Sequence, residues 1–181
     1  MERCARRGYL GRRASGKQGV SAILLDTSYL ISLADPARAH HGVAVSYLRE
    51  ALKRGVPLYL SAVAASEFQV KQAVTDLPLR NFEVLPFNID HAMQAGLLMR
   101  DIKRDVGDDR SAVKDDIKLI AQAICESLTH ILTEDAQTLV KYLDRLNKAG
   151  TSSVKSILLA DGFDSAWFDN GQRGLLSDLN D

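Results

Sequence analysis

The strongest constraint on the fold of this chain is an alternation: short apolar runs of strand length, each followed by a longer stretch with helical spacing. Residues 21–26 (SAILLD) form the first run, suited to a strand buried on both faces. Over residues 27–34 the spacing turns helical, and Asp35-Pro36 ends it. Residues 39–54 read as a second helix that turns Val43, Val45, Leu48 and Leu52 inward and closes at Gly55. The pattern continues with a strand over 56–60, a helix over 62–77 stopping near Pro78, and a strand over 82–86. A helix over 90–104 follows, then an exposed loop over 105–111 around Gly107 and paired aspartates. The last elements are a helix over 113–127, a strand over 130–133, a helix over 136–146 and a strand over 154–160. Strands alternating with helices predict an α/β fold with a parallel sheet covered on both faces. In open sheets of that kind, ligands bind outside the carboxyl ends of the strands.

The chain has 181 residues, enough for one domain with a real core. We expect an extension at 1–20 and a single domain over 21–181, with its core in 21–145 and an additional segment over 151–181. With 46% hydrophobic and 25% charged residues, the composition is that of an ordinary globular protein. No apolar run approaches the roughly 20 residues of a membrane-spanning helix. Cys4 and Cys125 lie far apart without metal-ligand spacing, which predicts neither a disulfide framework nor a structural zinc. The basic first residues lack the apolar stretch of a secretory signal, and the reading is cytoplasmic. Residues 1–20 carry six basic side chains against Glu2, a net of +5, so the remainder (17 basic, 22 acidic) is −5. A basic tail on an acidic body is either an RNA-contacting arm or a disordered extension. Its Arg, Gly and Ser content without apolar periodicity favours the second.

Four carboxylates stand where the alternation puts ligands. Asp26 ends the first strand, and Asp135 comes two residues after the strand that ends at Thr133. Glu67 lies seven residues beyond Leu60, about two turns into the following helix, and Asp116 is expected in the first turn of the helix leading back to the sheet. Two strand ends and two flanking helices can point these groups into one crevice. Carboxylates brought that close repel and raise one another's pKa. A hard divalent cation such as Mg²⁺ or Mn²⁺ removes that penalty with oxygen ligands, and can then acidify water and stabilise charge on a phosphodiester.

Singly, each has an ordinary explanation. Asp26 and Asp135 suit helix N-caps, Asp116 would favour a helix dipole, and Glu67 suits an exposed helix face. Together, with apolar neighbours around Asp26 and Glu67, coincidence is the weaker account. Thr27, Ser28 and Thr133 adjoin the carboxylates and suit either a supporting hydroxyl role or plain helix-start chemistry. Asp115 replaces Asp116 if the placement slips by one residue. Lys114 and Lys118 suit phosphate contacts or an exposed helix face. The four histidines, His40, His41, His91 and His130, are assigned nothing.

In their local settings these residues resemble the PIN-domain family of nucleases, which includes the VapC-like ribonuclease toxins. The first element is ILLDTSYLISLAD, with Asp26; the second is LYLSAVAASEF, with Ser61 and Glu67. In KDDIKLIAQAI, Asp116 has small residues five and seven positions on, Ala121 and Ala123, whereas Asp115 does not. ILTEDAQTL completes the set with Thr133 and Asp135. The resemblance covers residues 21–145 and implies a three-layer α/β/α sandwich with a central, mostly parallel sheet. It also implies Mg²⁺- or Mn²⁺-dependent endoribonuclease activity, with Asp26, Glu67 and Asp116 as main ligands and Asp135 completing the site or holding water. An antitoxin protein and a homodimer are partners that the resemblance suggests. The segment beyond residue 150 departs from the small toxins; it suits an edge strand, a surface cover or a pairing element, with Trp167 and Phe168 in the core.

An aspartate-nucleophile phosphatase needs a second Asp where this chain has Ser28, a receiver domain needs an acidic pair and a late Lys, and dinucleotide binding needs a glycine-rich turn. None of these patterns is present. The remaining alternative is a catalytically weak PIN-like module that binds RNA or protein.

Overall fold

The computed structural model describes residues 22–174. Expectations for the basic extension, for Cys4 and for Leu175 lie outside the described residues. Five strands form one parallel sheet: β1 (Ile23–Leu25), β2 (Leu58–Ser61), β3 (Glu83–Leu85), β4 (His130–Thr133) and β5 (Lys155–Leu158). Their order across the sheet is β3-β2-β1-β4-β5. Among the described residues seven α-helices connect and flank them: α1 (Thr27–Ala34), α2 (His41–Arg54), α3 (Ala62–Lys71), α4 (Ile89–Asp101), α5 (Arg110–Cys125), α6 (Leu139–Lys148) and α7 (Ala166–Asn170). The result is the three-layer α/β/α arrangement.

The chain walks from β1 outward to β3, then returns past β1 to place β4 on its other side. β1 therefore pairs with β2 through Ile23↔Leu58 and with β4 through Ile23↔His130. The order reverses between β1 and β4, and that is where a parallel sheet opens a crevice at its carboxyl edge. β1, β2 and β4 are buried at every position, which explains their unbroken apolar character, while edge strands β3 and β5 carry exposed residues.

α2 buries Ala44, Tyr47 and Ala51 and leaves Leu52, expected inward, 44% exposed; the other departures from the sequence reading are at element ends. The helix expected over 62–77 stops at Lys71, and a 3₁₀ turn, Val74–Asp76, fills part of the remainder. α5 begins at Arg110 rather than 113, because Asp109 caps it: its Oδ1 accepts from the Ser111 and Ala112 amides, each at 2.8 Å. Asp116 consequently lies in the second turn, not the first, and the helix-dipole explanation for it falls away. α6 begins at Leu139 rather than 136, because Asp135 first closes a turn of its own.

The C-terminal segment supplies edge strand β5 and then packs back on α2. Tyr47 Oη donates to the Gly162 carbonyl (3.1 Å) and accepts from the Asp164 amide (3.2 Å). Phe168 is buried beside Tyr47, with Arg54 over its ring, and Trp167 is partly buried. Among the described residues no helix is long and apolar enough to cross a membrane. Leu24 is fully buried at the centre of the sheet, between Tyr59 and Ile131. Leu24→Ala should therefore cost about 3 kcal/mol. In urea unfolding this would lower the midpoint and leave the slope unchanged.

Candidate metal centre

The local sequence places each acidic side chain through a cap. β1 ends at Leu25, and the Asp26 amide continues the ladder by donating to the Leu132 carbonyl (3.1 Å). Asp26 then caps α1, its Oδ2 accepting from the Ser28 amide at 3.3 Å. The same oxygen accepts from Ser28 Oγ (2.5 Å) and, across the switch point, from Thr133 Oγ1 (2.7 Å). Thr133 Oγ1 in turn accepts from the Asp135 amide (2.8 Å), and Ser28 Oγ from the Glu134 amide (2.8 Å). Two hydroxyls thus stitch the ends of β1 and β4 together around one buried carboxylate.

Ser61 ends β2 and caps α3, accepting from the Val63 amide at 3.0 Å. That cap starts α3 without an intervening loop and places Glu67 in its second turn, half-buried, where Thr27 Oγ1 donates to Glu67 Oε2 at 2.5 Å. Ser61 also donates to buried Gln122 of α5 (2.5 Å), which ties the end of β2 to the helix that carries Asp116. Asp135 holds its own turn: Oδ1 accepts from the Gln137 and Thr138 amides (2.7 and 3.0 Å), and Oδ2 from Thr138 Oγ1 (2.6 Å).

Asp116 differs from the other three. It is 7% exposed, and its Oδ2 is buried with no hydrogen-bond partner. Burial above all pushes its carboxyl up to about 8; the Thr138 hydroxyl opposes, and the charges of Asp26, Asp135 and Glu67 add to the rise. Burial likewise raises Asp26 against hydrogen bonds from Ser28 and Thr133. Burial also raises Glu67 against the Thr27 hydrogen bond, with Asp115 and Asp26 adding to it and Lys118 opposing. Asp116 is thus within electrostatic reach of Asp26, Asp135 and Glu67, and Glu67 of Asp26. Asp115 lies on the rim of the crevice, paired with Lys118 Nζ at 2.6 Å.

An orphaned, deeply buried carboxylate oxygen among like charges is a state that a cation relieves. The donors are all oxygens, and the set fits Mg²⁺ or Mn²⁺ rather than zinc. Among the described residues no three carboxylate, imidazole or thiol groups already stand at ligating distance from one point.

One group escaped the sequence reading. Glu134, between two candidate site residues, turns away from the crevice. It accepts from Ser32 Oγ and from Arg38 Nη2 (3.0 Å), and lies 2.7 Å from His40 Nδ1. These contacts fasten the segment between α1 and α2 to the end of β4. Its partners are 94 to 102 residues away in sequence, and no spacing rule finds them. His91 and His130 also proved structural: His91 completes the capping box of α4 with Asn88, and His130 Nε2 lies 3.2 Å from the Gly171 carbonyl. A cavity of about 530 Å³ opens at the amino ends of β4 and β5, lined by Ser127, His130, Ser152 and Lys155 among others. No carboxylate lines it, and it lies at the other end of the sheet from the acidic crevice.

The fold is PIN-like, and solved structures of VapC and VapBC proteins share it. VapBC2 from Rickettsia felis, solved bound to a DNA fragment from its promoter, aligns with a TM-score of 0.54 at 13% identity, over 76% of this chain and 98% of that one. VapBC-1 from nontypeable Haemophilus influenzae gives 0.51 at 15% identity, over 77% and 98%. VapC20 of Mycobacterium tuberculosis, a sarcin-ricin-loop-cleaving toxin, gives 0.50 at 19% identity, over 73% and 98%. No family model and no curated protein matches the sequence.

The raised carboxyls have a consequence for stability. Asp116 binds its proton up to about pH 8 when folded, but only up to about pH 4 when unfolded. Between those values the folded state holds more protons, so without a cation stability should fall as pH rises, by at most about 1.4 kcal/mol per pH unit for this group. Buried His130, lowered to about 4, opposes this below about pH 6.5, so thermal melts from about pH 6.5 to pH 8 with EDTA should show the slope, and Asp116→Asn should flatten it.

Proposed function

We propose that the chain is a Mg²⁺- or Mn²⁺-dependent endoribonuclease that hydrolyses RNA phosphodiester bonds and serves as the toxin of a toxin–antitoxin pair. The observation that carries the proposal is the unpartnered Oδ2 of Asp116, buried among Asp26, Glu67 and Asp135 at the switch point of the sheet. In this reading Asp26, Glu67 and Asp116 hold the ion, and Asp135 completes the site or orders water. An ion held by these carboxylates would supply charge neutralisation at a phosphodiester and a more acidic water.

The chain's own residues do the positioning. Ser28 and Thr133 hold Asp26 in one orientation, so that a fixed carboxylate meets the ion without reorganisation. Thr27 does the same for Glu67. Lys118, held over the rim by Asp115, offers positive charge to a phosphate backbone that would otherwise be repelled by the acidic crevice. Sharing a fold with VapC and VapBC structures supports a nuclease of the toxin type and an antitoxin protein as partner.

The test is cleavage of a mixed single-stranded RNA pool with Mg²⁺ or Mn²⁺, comparing wild type, Asp26→Asn and an EDTA control. Cutting is expected only with metal, and Asp26→Asn should lower it by roughly 100-fold or more while the protein stays folded. Thr133→Val, which removes a support rather than a ligand, should cost roughly 10-fold in metal affinity or rate. A folded protein that binds the ion and leaves the RNA intact would instead favour a binding module.

A further inference from the structure

α5 carries a basic row of which the crevice uses only one end. Arg110, Lys114 and Lys118 recur at every fourth residue, so they stand in line along one side of the helix, about 6 Å apart along its axis. Lys118 is the residue that Asp115 holds at the rim of the crevice. Around the other end the acids are committed elsewhere. Asp105 pairs with Arg145 and Asp108 with Lys141 of α6, Asp109 caps α5, and Asp101 lies beside Arg100. Arg110 and Lys114 are exposed, and among the described residues neither has an acidic partner. There the row borders a cavity of about 250 Å³ between the end of α4 and the start of α5. Buried Ile117 and half-buried Met99 and Ile102 give it an apolar floor. Every charged residue that lines it is a cation: Arg110, Lys114 and Arg104. Arg104 Nη1 donates to the carbonyls of Asp105 (3.3 Å) and Asp108, which hold its guanidinium in place.

We infer that this cavity receives one unstacked base of a single-stranded RNA, whose backbone then runs along Lys114 and Lys118 into the crevice. The occupant follows from charge and shape. An apolar slot edged by cations, with no acid in its lining, fits a ligand that is flat and apolar in one part and anionic in the next, which is the make-up of a nucleotide. The slot is smaller than the roughly 300–1,000 Å³ that takes a whole drug-sized ligand, and suits a single ring system. An arginine guanidinium at its edge gives that ring a surface to stack on. Distance agrees as well. Lys114 lines the cavity and Lys118 stands at the crevice one helical turn on, so the base is held close in sequence to the phosphate that enters the acidic site. The inference rests on the RNA reading of the crevice, and it adds the place where the substrate is gripped and its base sensed.

Binding rather than cleavage tests it: a fluorescein-labelled single-stranded RNA of mixed sequence is titrated with the full chain in EDTA at several salt concentrations. Arg110→Gln and Lys114→Gln should each weaken binding by roughly 3- to 10-fold and lower the slope of log affinity against log salt by about 0.7. Ile102→Asn should weaken it by roughly 10-fold with the slope unchanged, because a base loses its apolar floor while no phosphate loses its cation. RNA carrying 4-thiouridine should crosslink on irradiation to the segment 99–117, a readout of position that does not depend on any variant. Affinity indifferent to all three substitutions, or crosslinks confined to other segments, would overturn the inference. So would inorganic polyphosphate competing as well as RNA at equal phosphate, or capture of an acidic peptide by a chain that binds no RNA. RNA held at 99–117 and left intact when Mg²⁺ is added would uphold the inference and sink the nuclease reading instead.

Discussion

The hydrogen bond from Thr133 Oγ1 to Asp26 Oδ2 joins the two strand ends at the one place in the sheet where the order of connection reverses. Around it everything else in the crevice is arranged. Ser28 reinforces it from α1, the Asp135 and Glu134 amides anchor the two hydroxyls, and Glu67 and Asp116 arrive from helices that flank the same opening. A carboxylate so deep in the sheet is tolerable only because hydroxyl and amide donors replace its water.

The same residue type meets opposite fates within one domain. Asp105 sits on the surface, where hydrogen bonds from Arg145 and Lys141 lower its carboxyl to about 2. Asp116, buried with acidic neighbours and no basic partner, is raised to about 8. Surface aspartates of the first kind stabilise a loop: Asp105 and Asp108 fasten the turn before α5 to Lys141, Tyr142 and Arg145 of α6. A group of the second kind is costly to keep ionised where it stands.

Much of the architecture was legible because buried parallel strands read as short apolar runs, and ILL, LYL and the centre of HILT do. Helix starts were less legible, since a cap works through geometry that several nearby aspartates satisfy on paper. Asp109 rather than a later residue begins α5, and Asp135 closes a turn before α6 can start. Among the acidic residues, the sequence favoured Asp116 through Ala121 and Ala123 and left Asp115 as the alternative one residue away. Residues adjacent on a helix point about 100° apart, so one meets the crevice floor and the other meets Lys118. The ties that hold Glu134 to Ser32, Arg38 and His40 were invisible for a simpler reason: they join segments that meet only once the sheet has closed.

That closure has a temporal side. β1 lies near the start of the chain, yet one of its two neighbours, β4, begins at His130, and Thr133 is 107 residues from the carboxylate it holds. During synthesis the first carboxylate emerges early and its support emerges late. Until β4 has left the ribosome and paired with β1, Asp26 has no Thr133, Asp135 is not in place and the crevice has only one wall. The crevice is therefore incomplete until the segment that carries Thr133 and Asp135 has joined the sheet.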